Sequence, residues 1–174
     1  MLAKFKVRNY KNFKDELQFS LESAKSYEFH QEVLHNGIIK DAVVIGYNAS
    51  GKTNLGLAMM DITTHLTDKF EKRNSANLFY SNLYNEEDTA SFVYQFKFDS
   101  SVLEYAYEKE NAYQVRRESI RIDGKEVVRN EKGCCFVHLR GAENLNITNW
   151  NDAISFVKYI YANTVLDKED KDCQ

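Results

Sequence analysis

Residues 46–53 read Gly46-Tyr47-Asn48-Ala49-Ser50-Gly51-Lys52-Thr53. This G-x-x-x-x-G-K-S/T pattern constrains the fold more than any other stretch, because it works only between a strand and a helix. Its flanks carry both signals. Asp41-Ala42-Val43-Val44-Ile45 is an apolar, β-branched run ending on the first glycine. It predicts a buried parallel strand. Beyond Thr53, Leu55, Met59, Ile62, Leu66 and Phe70 recur at spacings of three and four. They predict one apolar face of a helix of about four to five turns.

A loop of this kind is a phosphate cradle. Gly46 and Gly51 permit backbone angles and a closeness of approach that a side chain would block. Loop N–H groups converge on phosphate oxygens, and the helix turns its positive end toward them. Lys52 brings a point charge to the β- and γ-phosphates. Thr53 offers a hydroxyl to Mg²⁺, which keeps several of its waters. Asn48 and Ser50 are polar where a γ-phosphate would lie. The candidate nucleotide-binding residues are therefore Gly46, Asn48, Ala49, Ser50, Gly51, Lys52, Thr53 and Asn54, with ATP and Mg²⁺ as expected cofactors. The competing reading is a Gly-rich turn entering a helix with no ligand.

The chain has 174 residues and 43% hydrophobic content, enough for one domain with a real core. Its net charge of −3 does not suit a uniformly basic nucleic-acid binder. No apolar stretch approaches bilayer length, and Met1 to Arg8 lack a signal-peptide core. The expectation is a cytoplasmic protein with no membrane partner. Cys134, Cys135 and Cys173 make neither a metal-ligand spacing nor a disulfide framework. His30, His35, His65 and His138 are scattered and read as structural or surface residues.

Residues 2–8 alternate, with Ala3, Phe5 and Val7 on one side, and 17–21 alternate again. Together they predict an opening hairpin. Residues 71–90 are polar and predict a surface connection. Phe92, Tyr94, Phe96 and Phe98, then Leu103, Tyr105 and Tyr107, alternate with polar or small residues. With Asp123-Gly124 as a two-residue turn, residues 91–140 predict an antiparallel β lobe. Its aromatics suit cross-strand packing better than base stacking. Trp150, Ile154, Val157, Ile160 and Tyr161 predict a helix over 150–166, with Asn149 or Asn151 as N-cap. The whole is expected to be a single partial α/β phosphate-loop domain, residues 1–70 forming hairpin, loop strand and helix, with the antiparallel lobe beside them.

Hydrolysis by such proteins needs a second strand ending in an acid to organise Mg²⁺. Phe98-Asp99, Ile122-Asp123 and Val165-Leu166-Asp167 mimic one, but all three read as structural. Lys4, Lys6, Arg8, Lys11 and Lys14 make the N-terminus locally basic, as Arg116, Arg117 and Arg121 do further on. Such residues can pair with nucleic-acid phosphates; a solvated outer strand face is the preferred reading.

The opening Phe5-Lys6-Val7-Arg8-Asn9-Tyr10-Lys11-Asn12-Phe13-Lys14, followed by Gly46 to Thr53 and Asn54-Leu55, resembles the start of ABC-type ATPase heads of the SMC/RecF-like group. It is most similar to bacterial AAA-domain, OLD-like ATPases of anti-phage defence and retron systems. The resemblance implies that Lys11 and Asn12 lie near the base or ribose. It covers the first half of such a head, without match to the glutamine loop, signature motif, Asp-Glu strand or switch histidine. It therefore implies an N-terminal fragment or truncated product, with a nucleotide and either a second copy or the missing C-terminal half as partners. This chain alone is expected to turn over little ATP. A rival is a non-catalytic module that binds nucleotide or protein. Another is a GTPase or small-molecule kinase, disfavoured because no Asn-Lys-x-Asp segment or lid is seen.

Overall fold

A computed structural model describes residues 1–23, 25, 31–67, 80–131, 134–145 and 155–167. The readings placed on His30, Phe70, 71–79, Asn149 to Ile154, Cys173 and the tail beyond Asp167 lie outside these residues.

Seven strands form one sheet. They are β1 (Leu2–Arg8), β2 (Leu17–Ser20), β5 (Ala90–Lys97), β6 (Val102–Lys109), β7 (Val115–Ile122), β8 (Lys125–Glu131) and β9 (Cys134–Val137). The short β3 (Leu34–His35) and β4 (Ile38–Ile39) pair separately. In the large sheet the order is β2-β1-β5-β6-β7-β8-β9, and every pairing is antiparallel. Two helices, α1 (Lys52–Thr67) and α2 (Phe156–Asn163), complete the architecture among the described residues, with a single 3-10 turn at Gln31–Val33.

The hairpin and meander form because their strands alternate, and half-exposed alternation suits antiparallel pairing. Asp123 and Gly124 both take positive φ, 49° and 82°, as a two-residue hairpin turn requires. β1 pairs with β5 through Phe5 opposite Tyr94, so the opening hairpin and the meander share one sheet.

The expected α/β phosphate-loop core is overturned. Residues 41–47 form no strand, and Val43 and Ile45 are 86% and 90% exposed. A buried parallel strand needs neighbours on both edges and cover on both faces. Here both edges of β1 are already taken, and the strands that the chain supplies pair with one another. The molecule is a mainly antiparallel sheet with α1 and α2 packed on it.

The covered face carries the core. Phe5, Val7, Phe92, Tyr94, Tyr105 and Tyr107 pack with Leu55 and Ala58 of α1. Val127 and Val128 pack with Phe156 and Ile160 of α2. Ile120 and Val157 touch both clusters, so the two helices share one apolar layer. Ser155 caps α2, its side chain accepting from the Lys158 amide.

Candidate functional site

The phosphate-loop sequence sits where α1 begins. Residues 46–50 are exposed, and helical bonding starts with the Leu55 amide donating to Gly51 O at 2.9 Å. Ala49 and Gly51 take φ of 63° and 95°. These left-handed residues let the chain reverse into the helix within a few residues. The Ser50 amide donates to Tyr47 O at 3.3 Å. Lys52 folds back, its Nζ donating to Gly46 O at 2.7 Å and Tyr47 O at 2.6 Å. Its ammonium thus lies across the loop mouth, held by carbonyl dipoles, where a phosphate oxygen would be a stronger partner. Thr53 is exposed on the first turn. One hydroxyl is a small ligand contribution, of the kind Mg²⁺ accepts when phosphates and waters fill the rest.

The N-terminal turn reaches this loop. Asn12 Oδ1 accepts from Asn54 Nδ2 at 2.6 Å. A Cβ at Gly51 would sit 2.3 Å from Asn12 Nδ2. Gly51 is therefore required twice, for its φ and for the closeness of Asn12. The turn itself is tight, with Tyr10 and Phe13 exchanging both backbone bonds. Lys11 takes φ of 49°, its amide donates to Tyr80 O, and its carbonyl accepts from Asn82 Nδ2 at 2.5 Å. Burial lowers the Lys11 pKa, and its ammonium lies 5.5 Å from the Tyr10 ring centre. Buried Asn9 ties the same turn to the Glu87 and Thr89 carbonyls. Residues 80–89 lack regular structure but are pinned to the turn that carries Lys11 and Asn12.

Asn12, Gly51 and Asn54 are thus brought together, with Lys52 and Thr53 in the same first turn of α1. The aromatic strand residues are elsewhere. Phe92, Tyr94, Tyr105 and Tyr107 are buried under α1, which removes them from any base-stacking role. The basic residues of the opposite sheet face meet carboxylates: Lys4 with Glu22, Lys6 with Glu16, Arg8 with Glu87, Arg117 with Glu131, and Arg121 with Glu104 and Glu126. Arg116 pairs with Glu110. The mimics of an acid-ended strand lie outside strands, Asp99 and Asp123 at a bend and a turn and Asp167 in irregular chain. Asp99 accepts from Asn36, Asp123 accepts from the Val102 amide, and the Asp167 amide donates to Arg140 O.

Behind the loop lies a buried polar cluster that the sequence pattern did not single out. Asp61 Oδ1 accepts from Tyr80 OH at 2.9 Å, and its Oδ2 from Tyr107 OH and Lys109 Nζ, both at 2.8 Å. Tyr94 OH donates to Ala58 O at 2.8 Å. One turn further along α1, His65 stacks on Tyr107 with ring centres 4.4 Å apart. Its Nε2 is 3.5 Å from Glu118 Oε1, close enough for charge to matter but without a well-formed hydrogen bond. Glu118 also accepts from Tyr105 OH, from Ser155 Oγ at 2.6 Å and from the Phe156 amide at 2.5 Å. Burial pushes the Glu118 pKa up, but the adjacent His65 imidazole and the hydroxyls of Ser155 and Tyr105 outweigh it and hold it below the usual value. Burial lowers the Lys109 pKa, against the pull of Asp61. Burial raises the tyrosines of the cluster; Asp61 adds to the rise at Tyr80, Glu118 at Tyr105, and Tyr94 and then Asp61 at Tyr107.

The signal for this cluster was in the strand phase. Lys109 continues the inward series Leu103, Tyr105, Tyr107, and Glu118 lies directly opposite Tyr107. No protein-family model matches this chain, and no curated protein matches it. Among the described residues, no helix is long and apolar enough to cross a membrane, and no group of His, Cys, Asp and Glu is placed to hold a metal ion.

Proposed function

We propose that the chain binds ATP with Mg²⁺ through Gly46 to Thr53, as the nucleotide-holding part of an ATPase similar to the SMC/RecF/OLD-like heads. What supports this most is the juxtaposition at the start of α1. An open, glycine-bounded turn, the Lys52 ammonium across its mouth, the Thr53 hydroxyl and the Asn12–Asn54 pair all gather there. Lys52 and the helix end attract the phosphates, Thr53 ligates Mg²⁺, and Asn12 braces the loop from behind. DNA transactions or phage defence are the uses the resemblance implies.

The apolar run Ala42 to Ile45 supports a partner, either a second copy or a C-terminal half of such a head. Its composition suits a strand covered on both faces, yet it stands exposed. The same observation favours the second reading, a non-catalytic module that binds nucleotide or protein through this segment.

Calorimetric titration with Mg-ATP and Mg-GTP tests the proposal. Wild-type chain takes up ATP, and at a hundred times the dissociation constant ATP adds about 2.7 kcal/mol of stability. Lys52→Ala stays folded and loses both the heat and the thermal shift. An equal shift in Lys52→Ala removes this residue from the site. Turnover by the purified chain separates an enzyme from a binding module.

A further inference from the structure

The core-facing stripe of α1 is Leu55, Ala58, Asp61 and His65, so half of it is polar. Four residues of the sheet and of the segment before it reach up to this stripe: Tyr80, Tyr94, Tyr107 and Lys109. Apolar contacts are non-directional, and a helix resting on them can rotate or slide at small cost. Directional bonds to a buried carboxylate cannot be kept after such a shift. A one-residue rotation would leave the Asp61 carboxylate desolvated and parted from its three donors, which is among the costliest local changes a core can suffer.

The pair is poorly explained by stability alone. Replacing a buried ion pair by apolar side chains of similar volume is often neutral or favourable. Lys109 itself is titrated downward by its burial, so its charged form is held at a net cost despite Asp61. What the network does supply is a single register for α1. Lys52, Thr53 and Asn54 form the first turn of the same rigid helix, about 13 Å from Asp61 along the axis. Asn54 in turn meets Asn12, which backs Gly51.

We infer that Asp61, held by Lys109, Tyr80 and Tyr107, is a positioning residue for the phosphate loop: it sets the axial and rotational seat of α1 and so the placement of Lys52 and Thr53 toward the nucleotide phosphates. This role rests on the nucleotide reading above. Asp61 touches no phosphate and acts through the helix.

The test is Mg-ATP affinity per folded molecule, measured beside the thermal midpoint. Asp61→Asn and the double substitution Asp61→Leu with Lys109→Met each weaken ATP by about tenfold, and Tyr80→Phe by about threefold. The double variant removes both charges together but takes an acceptor from the buried Tyr80 and Tyr107 hydroxyls, so its midpoint falls; because affinity is read per folded molecule, its weaker binding still separates positioning from stability. Should Asp61→Asn fail to fold, the double variant and Tyr80→Phe decide. Met60→Ala, on the exposed side of α1, leaves affinity unchanged. Wild-type binding with the same dissociation constant in the double variant and in Tyr80→Phe overturns the inference and leaves the nucleotide reading standing. Absence of ATP binding by wild type overturns both.

Discussion

Gly51 carries two demands in one residue. Its φ of 95° is left-handed, and its missing side chain leaves room for Asn12. Gly56, five residues on, carries neither, for nothing lies within 4 Å of a Cβ built there. The two glycines should therefore respond oppositely to alanine. Gly51→Ala loses about 1–2 kcal/mol to backbone strain, with more if Asn12 cannot give way. Gly56→Ala gains about 0.5–1 kcal/mol, as expected inside an exposed helix. Urea midpoints of the two variants check this, and similar signs would contradict the loop geometry. The need for glycine at 51 was legible from the motif alone. Asp61 and His65 were not, because a polar residue on a helix looks solvated until the strand opposite is known to bring Lys109 and Glu118 inward.

At the scale of elements, α1 shows how a helix's apolar face can reach the core without filling the centre of its contact. The spacing of Leu55, Met59, Ile62 and Leu66 placed the helix, and α1 spans Lys52–Thr67. Yet Ala58, Asp61 and His65 face the sheet, while Met59, Ile62 and Leu66 flank it half-buried. Hydrophobic spacing weighs each side chain separately and cannot see a carboxylate satisfied by three donors. The strands were read better, since a period of two leaves little room for rotation. Glu118 links β7 to the start of α2 through Ser155 and the Phe156 amide. Its folded pKa lies below the unfolded value of 4.5. Its contribution is therefore fully present above that value and is lost as pH falls through the lower folded pKa. Glu118→Gln costs roughly 2–4 kcal/mol near neutrality. Between pH 5 and 3 the variant declines less steeply than wild type. Parallel urea-midpoint curves over that range would show that Glu118 is not held ionised by its donors.

For the whole molecule, the decisive mismatch is between the antiparallel sheet and the one run written for a parallel strand. Seven strands pair among themselves, and Ala42 to Ile45 is left outside them. No reading of residues 41–45 alone could foresee this, because a buried parallel strand is defined by neighbours distant in sequence. Exposed, apolar and uncharged from 42 to 45, the run offers β-prone backbone outside any sheet, of the kind that can pair with another chain. A second copy of this chain is the simplest recruit. Sedimentation velocity over a range of concentrations should show wild type associating. Val43→Glu with Ile45→Glu should stay monomeric. Because both side chains are exposed in the single chain, the substitutions should change its own stability by no more than about 0.5 kcal/mol. Association that persists in the double variant would move the contact elsewhere on the surface. A large loss of stability would mean that residues 42–45 are packed in the free chain after all. If the variant also keeps Mg-ATP affinity, the segment serves assembly alone, and the phosphate cradle is complete within one copy.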